Sequence, residues 1–146
     1  MTELRPMRWW DIDAALAIER ELFPDAWSDE TFWAELARVP ETRHYLVADD
    51  DGAIVGYAGL MTVGRQADVQ TVAVAPDRQG QNLGATLLRA IVDEATARGC
   101  TEVLLEVRVD NEAALHLYDK VGFERISVRR GYYPGGVDGL VMRLRI

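Results

Sequence analysis

Apolar residues along this chain keep two different periods, and the places where the period changes mark its elements. Ile12, Leu16 and Ile18 sit at helical spacing, which predicts an amphipathic helix over Asp11–Leu22 that Pro24 stops. Ser28 is placed to cap a second helix, with Asp29 and Glu30 favourable in its first turn and Pro40 beyond its end near Arg38. Tyr45–Ala48 and Ile54–Val63 read as strands joined by the turn Asp49-Asp50-Asp51-Gly52, and Gln70–Ala75 reads as a third. Leu83, Leu87, Leu88, Ile91, Val92 and Ala95 place a wide apolar stripe on one helix, with Gly99 a natural stop. Val103–Val107 follows as a strand, and Asp110 or Asn111 caps a helix that ends before Gly122. Phe123–Val128 and Leu140–Leu144 are the last strands, joined by a loop rich in Tyr, Gly and Pro, while Leu4–Met7 makes a short first strand.

That order is helices first, then a meander of strands, one βαβ unit, a helix and a hairpin. It predicts an α+β fold, a mixed sheet with helices packed on it. The 146 residues suffice for one domain with a proper core, spanning 1–146. A net charge of −8 makes nucleic acid an unexpected partner; it suits basic substrates, although on charge alone simple solubility is the better account. The single cysteine, Cys100, excludes an internal disulfide and suits a cytoplasmic protein. Met1–Trp10 carries charges and no apolar core of a signal peptide, and no apolar run nears the ~18 residues of a membrane span. A monomer is expected.

Candidate chemistry concentrates between Val72 and Phe123. The apolar run Val72-Ala73-Val74-Ala75 enters Pro76-Asp77-Arg78-Gln79-Gly80-Gln81-Asn82-Leu83-Gly84-Ala85, a loop that opens directly into a helix. A helix start with unpartnered amides is a ready anion site. The plain alternative is an ordinary strand–helix connection, since Gly and Asn tolerate unusual backbone angles. A dinucleotide fingerprint does not fit, because Gly80 and Gly84 lack the Gly-x-Gly-x-x-Gly spacing and only one βαβ unit is present; a P-loop fails for want of Lys-Ser or Lys-Thr after the glycines.

Glu106 stands in an apolar strand, on the face of Leu104 and Arg108. It reads either as a salt-bridge partner of Arg108 or as a partly desolvated carboxylate serving as general base. Tyr118, on a helix with Ala114 and Leu115, reads as core packing or as a proton-donating phenol. His44, His116 and Cys100 have no neighbours at metal-ligand spacing, so no metal is expected.

Taken together, these segments resemble the GCN5-related N-acetyltransferases. Their Gln/Arg-x-x-Gly-x-Gly/Ala loop, which cradles the pyrophosphate of acetyl-CoA, appears here as Gln79-Gly80-Gln81-Asn82-Leu83-Gly84, with Asn82 where the family usually has Gly. Within that superfamily the chain is similar to the bacterial ribosomal-protein-alanine N-acetyltransferases. The matching residues are Trp27-Ser28, Leu105-Glu106-Val107-Arg108, Asn111, Leu117-Tyr118, Gly122-Phe123 and Arg129-Arg130-Gly131-Tyr132-Tyr133-Pro134; Ala26 replaces a usual Pro, and Gly139 a usual Ala.

The resemblance implies the GNAT fold, a mostly antiparallel central sheet flanked by helices, with acetyl-CoA bound at splayed central strands. It implies that Val72, Ala73 and Val74 pair with the pantetheine arm, that Gln79, Gly80, Gln81, Asn82, Leu83, Gly84 and Ala85 hold the pyrophosphate, and that Asn111 lies near the thioester. Glu106 would be the base, Tyr118 the acid, and Trp27, Tyr132 and Tyr133 would wall the substrate pocket. The implied reaction acetylates the N-terminal alanine, or a similar small residue, of a small-subunit ribosomal protein. The alternatives are a small-molecule amine as acceptor, or a non-catalytic acetyl-CoA-binding module.

Overall fold

A computed structural model describes residues 1–146. The chain runs β1 (Thr2–Pro6), α1 (Ile12–Leu22), α2 (Asp29–Leu36), β2 (Arg43–Asp50), β3 (Ala53–Val63), β4 (Gln66–Val74), α3 (Leu83–Ala97), β5 (Glu102–Arg108), α4 (Glu112–Val121), β6 (Glu124–Tyr133) and β7 (Val137–Arg145). The strands form one sheet in the order β1-β2-β3-β4-β5-β7-β6. Every pairing is antiparallel except β4 with β5, the two strands of the βαβ unit. The mixed α+β architecture predicted from the sequence is therefore the one observed.

Two boundaries differ most from the expectation. The strand expected to begin at Gln70 begins at Gln66, because Gly64, at φ 61°, turns β3 straight into β4. The expected loop after Val128 is mostly strand: β6 continues to Tyr133, and the hairpin closes through Gly135 and Gly136, both at positive φ. Arg, Gly and Tyr there obscure a strand that is an exposed sheet edge and so carries no apolar alternation.

Helices cover both faces of the sheet. On one face, Leu87, Leu88 and Ile91 of α3 pack with Leu60, Val103 and Met142. On the other, Ile12, Ala15 and Leu16 of α1 and Phe32 of α2 pack with Tyr45, Val47 and Tyr57. Ser28 caps α2 by accepting from the Thr31 amide at 3.2 Å, as its position predicts.

The α2 face is tied to the sheet by a buried polar group. Glu35 accepts from the Tyr45 hydroxyl at 2.6 Å and from Arg43 Nε at 2.8 Å. Burial, reinforced by Glu35, pushes the Tyr45 phenol well above its ordinary range, so it stays a donor. Its ring lies over Gly59, where a Cβ would stand 2.2 Å from Tyr45 Cε2.

Gly59→Ala should therefore force Tyr45 off Glu35 or shift β3. Overpacking of this kind costs about 1–3 kcal/mol. A fall in Tm of several degrees is expected in a thermal melt, and an unchanged Tm would show that the ring moves freely.

Candidate active site

The sheet opens where β4 and β5 part. Their pairing covers only Gln66–Asp68 against Glu102–Leu104. Immediately beyond it, the register of β4 against β3 slips between Gly59 and Leu60, so that Gln70 is the extra, bulged residue of β4. A bulge bends its strand and increases its twist. Past that point β4 keeps β3 on one side and faces open space on the other. The result is a cleft of about 890 Å³ running between the ends of β4 and β5, roofed by α4 and by the α1–α2 segment.

One end of the cleft is built from main chain. Every N–H from Gln79 through Ala85 lacks an acceptor within the protein; the first bonded amide is that of Thr86, to the Asn82 carbonyl at 3.0 Å. Gly80 (φ 83°) and Asn82 (φ 63°) are both left-handed, which turns successive amides inward as an anion-binding nest. Asn82 thus takes the conformation a glycine would take, and its side-chain oxygen also accepts from Lys120 of α4. Gln79 donates from Nε2 to the Val74 carbonyl at 3.2 Å, fastening the loop to the end of β4. At Gly84 a Cβ would meet Leu117 Cδ2 at 3.3 Å and Val74 Cγ2 at 3.7 Å, so the missing side chain lets α3 approach both α4 and β4. Lys120, held at Asn82, and Arg78, ion-paired with Asp50, also line the cleft. Unpaired amides, a helix dipole and a nearby lysine fit a pyrophosphate.

The other end carries the ionisable side chains. Val103, Leu105 and Val107 of β5 face the core, which turns Glu106 and Arg108 outward. Glu106 pairs with Arg129 Nη2 at 3.1 Å rather than with Arg108, and its side chain is 34% exposed. Arg108 instead grips Asp110 with two bonds of 3.0 Å and lies over the Tyr133 ring, 5.6 Å from its centre. Burial first, and then the Glu106 carboxylate, push the Tyr133 phenol up.

Tyr118 of α4 is 8% exposed and lines the cleft. Burial, helped by Tyr133, pushes its phenol up to about 12. It is therefore protonated at any physiological pH, as a proton donor must be. Asn111 caps α4, its Oδ1 accepting from the Ala114 amide at 3.1 Å, and also lines the cleft.

Of the residues singled out from sequence, the cleft brings together Trp27, Val72, Ala73, Val74, Gln79, Gly80, Asn82, Leu83, Gly84, Ala85, Glu106, Asn111, Tyr118 and Tyr133. Two stand outside its lining. Gln81 is exposed at the tip of the loop, and Tyr132 lies beneath Arg129 with its ring edge-on to that of Tyr133, 5.1 Å between centres. The sequence reading missed Glu19 and Asp25, which also line the cleft. Glu19 could have been found: with Ile12, Ala15 and Leu16 it falls on the buried stripe of α1, where a carboxylate is out of place.

Comparison with known proteins fits this geometry. The model of the Acetyltransferase (GNAT) family matches residues 12–123. The chain belongs to that family. The N-alpha-acetyltransferase RimI of Mycobacterium tuberculosis is 42% identical over 91% of this chain and 85% of its own. The crystal structure of the ribosomal-protein-S18-alanine N-acetyltransferase from Escherichia coli superposes with a TM-score of 0.90 at 34% identity, covering 100% of this chain and 94% of that one. The PaiA N-acetyltransferase from Thermoplasma acidophilum, solved in complex with coenzyme A, shares the fold at a TM-score of 0.85 and 18% identity, over 100% of this chain and 99% of that one. As a GNAT member the chain is an N-acetyltransferase, and its parted strands and amide nest are the fold's features that suit a coenzyme A thioester.

In this acetyltransferase, Gly84→Val should drive a branched side chain against Leu117 and Val74 and lift the nest. Titration calorimetry should show acetyl-CoA affinity reduced at least tenfold; unchanged affinity would place the cofactor elsewhere.

Proposed function

We propose that the protein transfers the acetyl group of acetyl-CoA to the free α-amine of a protein N-terminus, with the N-terminal alanine of a small-subunit ribosomal protein as the favoured acceptor. The observation that carries this reading is the polarity of one cleft. Unpaired amides and Lys120 line one end, while Asp25 and Glu106 line the other. An anionic cofactor is drawn to the first end and a cationic amine to the second. The names of the relatives at 42% and 34% identity support the choice of acceptor.

In this reading the amine nitrogen attacks the thioester carbonyl carbon and the carbon–sulfur bond breaks. Glu106 receives the proton of the amine through water, and Tyr118 protonates the departing thiolate. The amides of the nest hold the pyrophosphate, the open edge of β4 at Val72–Val74 aligns the pantetheine arm, and Asn111 stands beside the thioester. Attack needs a neutral amine. A terminal amine has a pKa of ~7.8 against ~10.4 for lysine, so neutralising lysine costs roughly 3.5 kcal/mol more. A carboxylate base suits the terminal amine better. Trp27 and Tyr133 would then flank the first residue of the peptide, with Tyr132 behind Tyr133.

Glu106→Gln keeps the shape but cannot accept a proton, and Tyr118→Phe keeps the packing but has no proton to give. Each should lower kcat by about 10²–10⁴-fold in steady-state assays while leaving acetyl-CoA binding within a few-fold. Because the Tyr118 pKa stands near 12, the parent's rate should show no alkaline decline belonging to Tyr118 below about pH 11. Parent-like turnover of Glu106→Gln would return Glu106 to a partner of Arg129 and nothing more.

A peptide panel read by mass spectrometry tests the acceptor. An Ala-start peptide with basic residues following should be acetylated, and its N-terminally blocked form should not. Acetylation of only a blocked, lysine-containing peptide would overturn the terminal-amine reading. Acetylation of polyamines alone would make a small amine the substrate.

A further inference from the structure

Glu19 has no part in the proton transfers described above, yet it is 3% exposed and lines the cleft at its substrate end. A buried carboxylate is costly unless its oxygens are satisfied. Here each oxygen takes one donor, and neither donor is a cation. Oε1 accepts from the Tyr57 hydroxyl, and Oε2 accepts from the main-chain N–H of Trp27 at 3.1 Å. Burial, then the Glu19 charge, push the Tyr57 phenol far above its ordinary range, so it remains a donor.

Aromatic contacts close the circuit. The Trp27 ring meets Phe32 edge-on at 5.0 Å between centres, and Phe32 meets Tyr57 in the same way at 5.7 Å. Tyr57 is fully buried in β3, beside the strand that walls the cleft. One carboxylate thus fastens the connection between α1 and α2 to the centre of the sheet. That connection supplies Phe23, Asp25 and Trp27 to the cleft wall. Phe23 and Trp27 pack against the core beneath it, while Asp25 is exposed and Ala26 does not restrict its own backbone as a proline would.

We infer that Glu19 is the positioning residue for the acceptor side of the site: it fixes Trp27, and through Trp27 the pocket that receives the first residue of the amine substrate. The carboxylate acts as an acceptor of two hydrogen bonds, not as a counter-ion of the substrate. This inference rests on the proposed entry of the amine at the Trp27 end.

Glu19→Ala removes both bonds. In the parent, the Trp27 amide should be protected from hydrogen exchange by NMR; in Glu19→Ala it should lose that protection. The KM for the Ala-start peptide should rise about tenfold or more, with kcat and acetyl-CoA affinity within about twofold of the parent. Glu19→Gln should restore most of the peptide KM, because its carbonyl can accept from Trp27 while its amide donates to Tyr57.

An unchanged peptide KM in Glu19→Ala overturns the inference, as does an equal loss of acetyl-CoA affinity. Glu19→Gln behaving like Glu19→Ala also overturns it, by making charge the essential property. Should Glu19→Ala fail to fold, Tyr57→Phe cuts one of the two bonds alone; a several-fold rise in peptide KM supports the role and an unchanged KM refutes it. If the parent itself leaves the peptide unmodified, the acceptor reading fails independently, and the exchange protection of Trp27 still reports on Glu19.

Discussion

Everything in this molecule's chemistry depends on two parallel strands that stop pairing. A parallel pair needs a crossover connection, and here that crossover is α3. If β4 and β5 stayed paired along their length, the N-terminus of α3 would sit over a closed sheet with nothing to bind. They pair for three residues and separate beside a bulge at Gln70. The separation leaves main-chain groups of β4 open, turns the start of α3 toward a cleft, and gives Glu106 on β5 and Tyr118 on α4 a common space. In a closed sheet, an open strand edge is a liability for aggregation. Here the flanking helices enclose it and make it a binding surface.

The sequence made most of the cofactor side legible, and for a physical reason. Helix α3 has a long apolar stripe of fixed period, and its entry loop has two residues suited to left-handed angles. Both are local properties, readable in consecutive residues. The strand order around β5 was also within reach, because one βαβ unit followed by a helix and a hairpin leaves few arrangements. The bulge at Gln70 was not, since it is defined by register against β3 and leaves no mark in the residues themselves. The partner of Glu106 was misjudged for a similar reason: Arg108 is close in sequence, but Arg129 comes from β6, two strands away across β7.

The acceptor side depends on contacts distant in sequence, and so was the least legible. Glu19 meets Tyr57 and Trp27 from three different elements or connections. The adjacent tyrosines 132 and 133 look like one aromatic patch in the sequence and their rings do meet edge-on, but Tyr133 lines the cleft and Tyr132 lies under Arg129 of the sheet edge. The α2 side shows the same pattern, because Gly59 is required by the ring of Tyr45 and by nothing in its own neighbourhood.

The order of strands at the far end of the sheet has a consequence for how the protein comes into being. The last strand, β7, lies between β5 and β6 rather than outside them. Its nine residues pair with Glu102–Arg108 on one side and with Glu124–Tyr133 on the other. During synthesis, the strand bearing Glu106 has an open flank until Val137–Arg145 emerges, and β6 has no neighbour in the sheet before then. The β5 wall of the reaction cleft, with Glu106 on it, is therefore unsupported on that flank until β7 has been made.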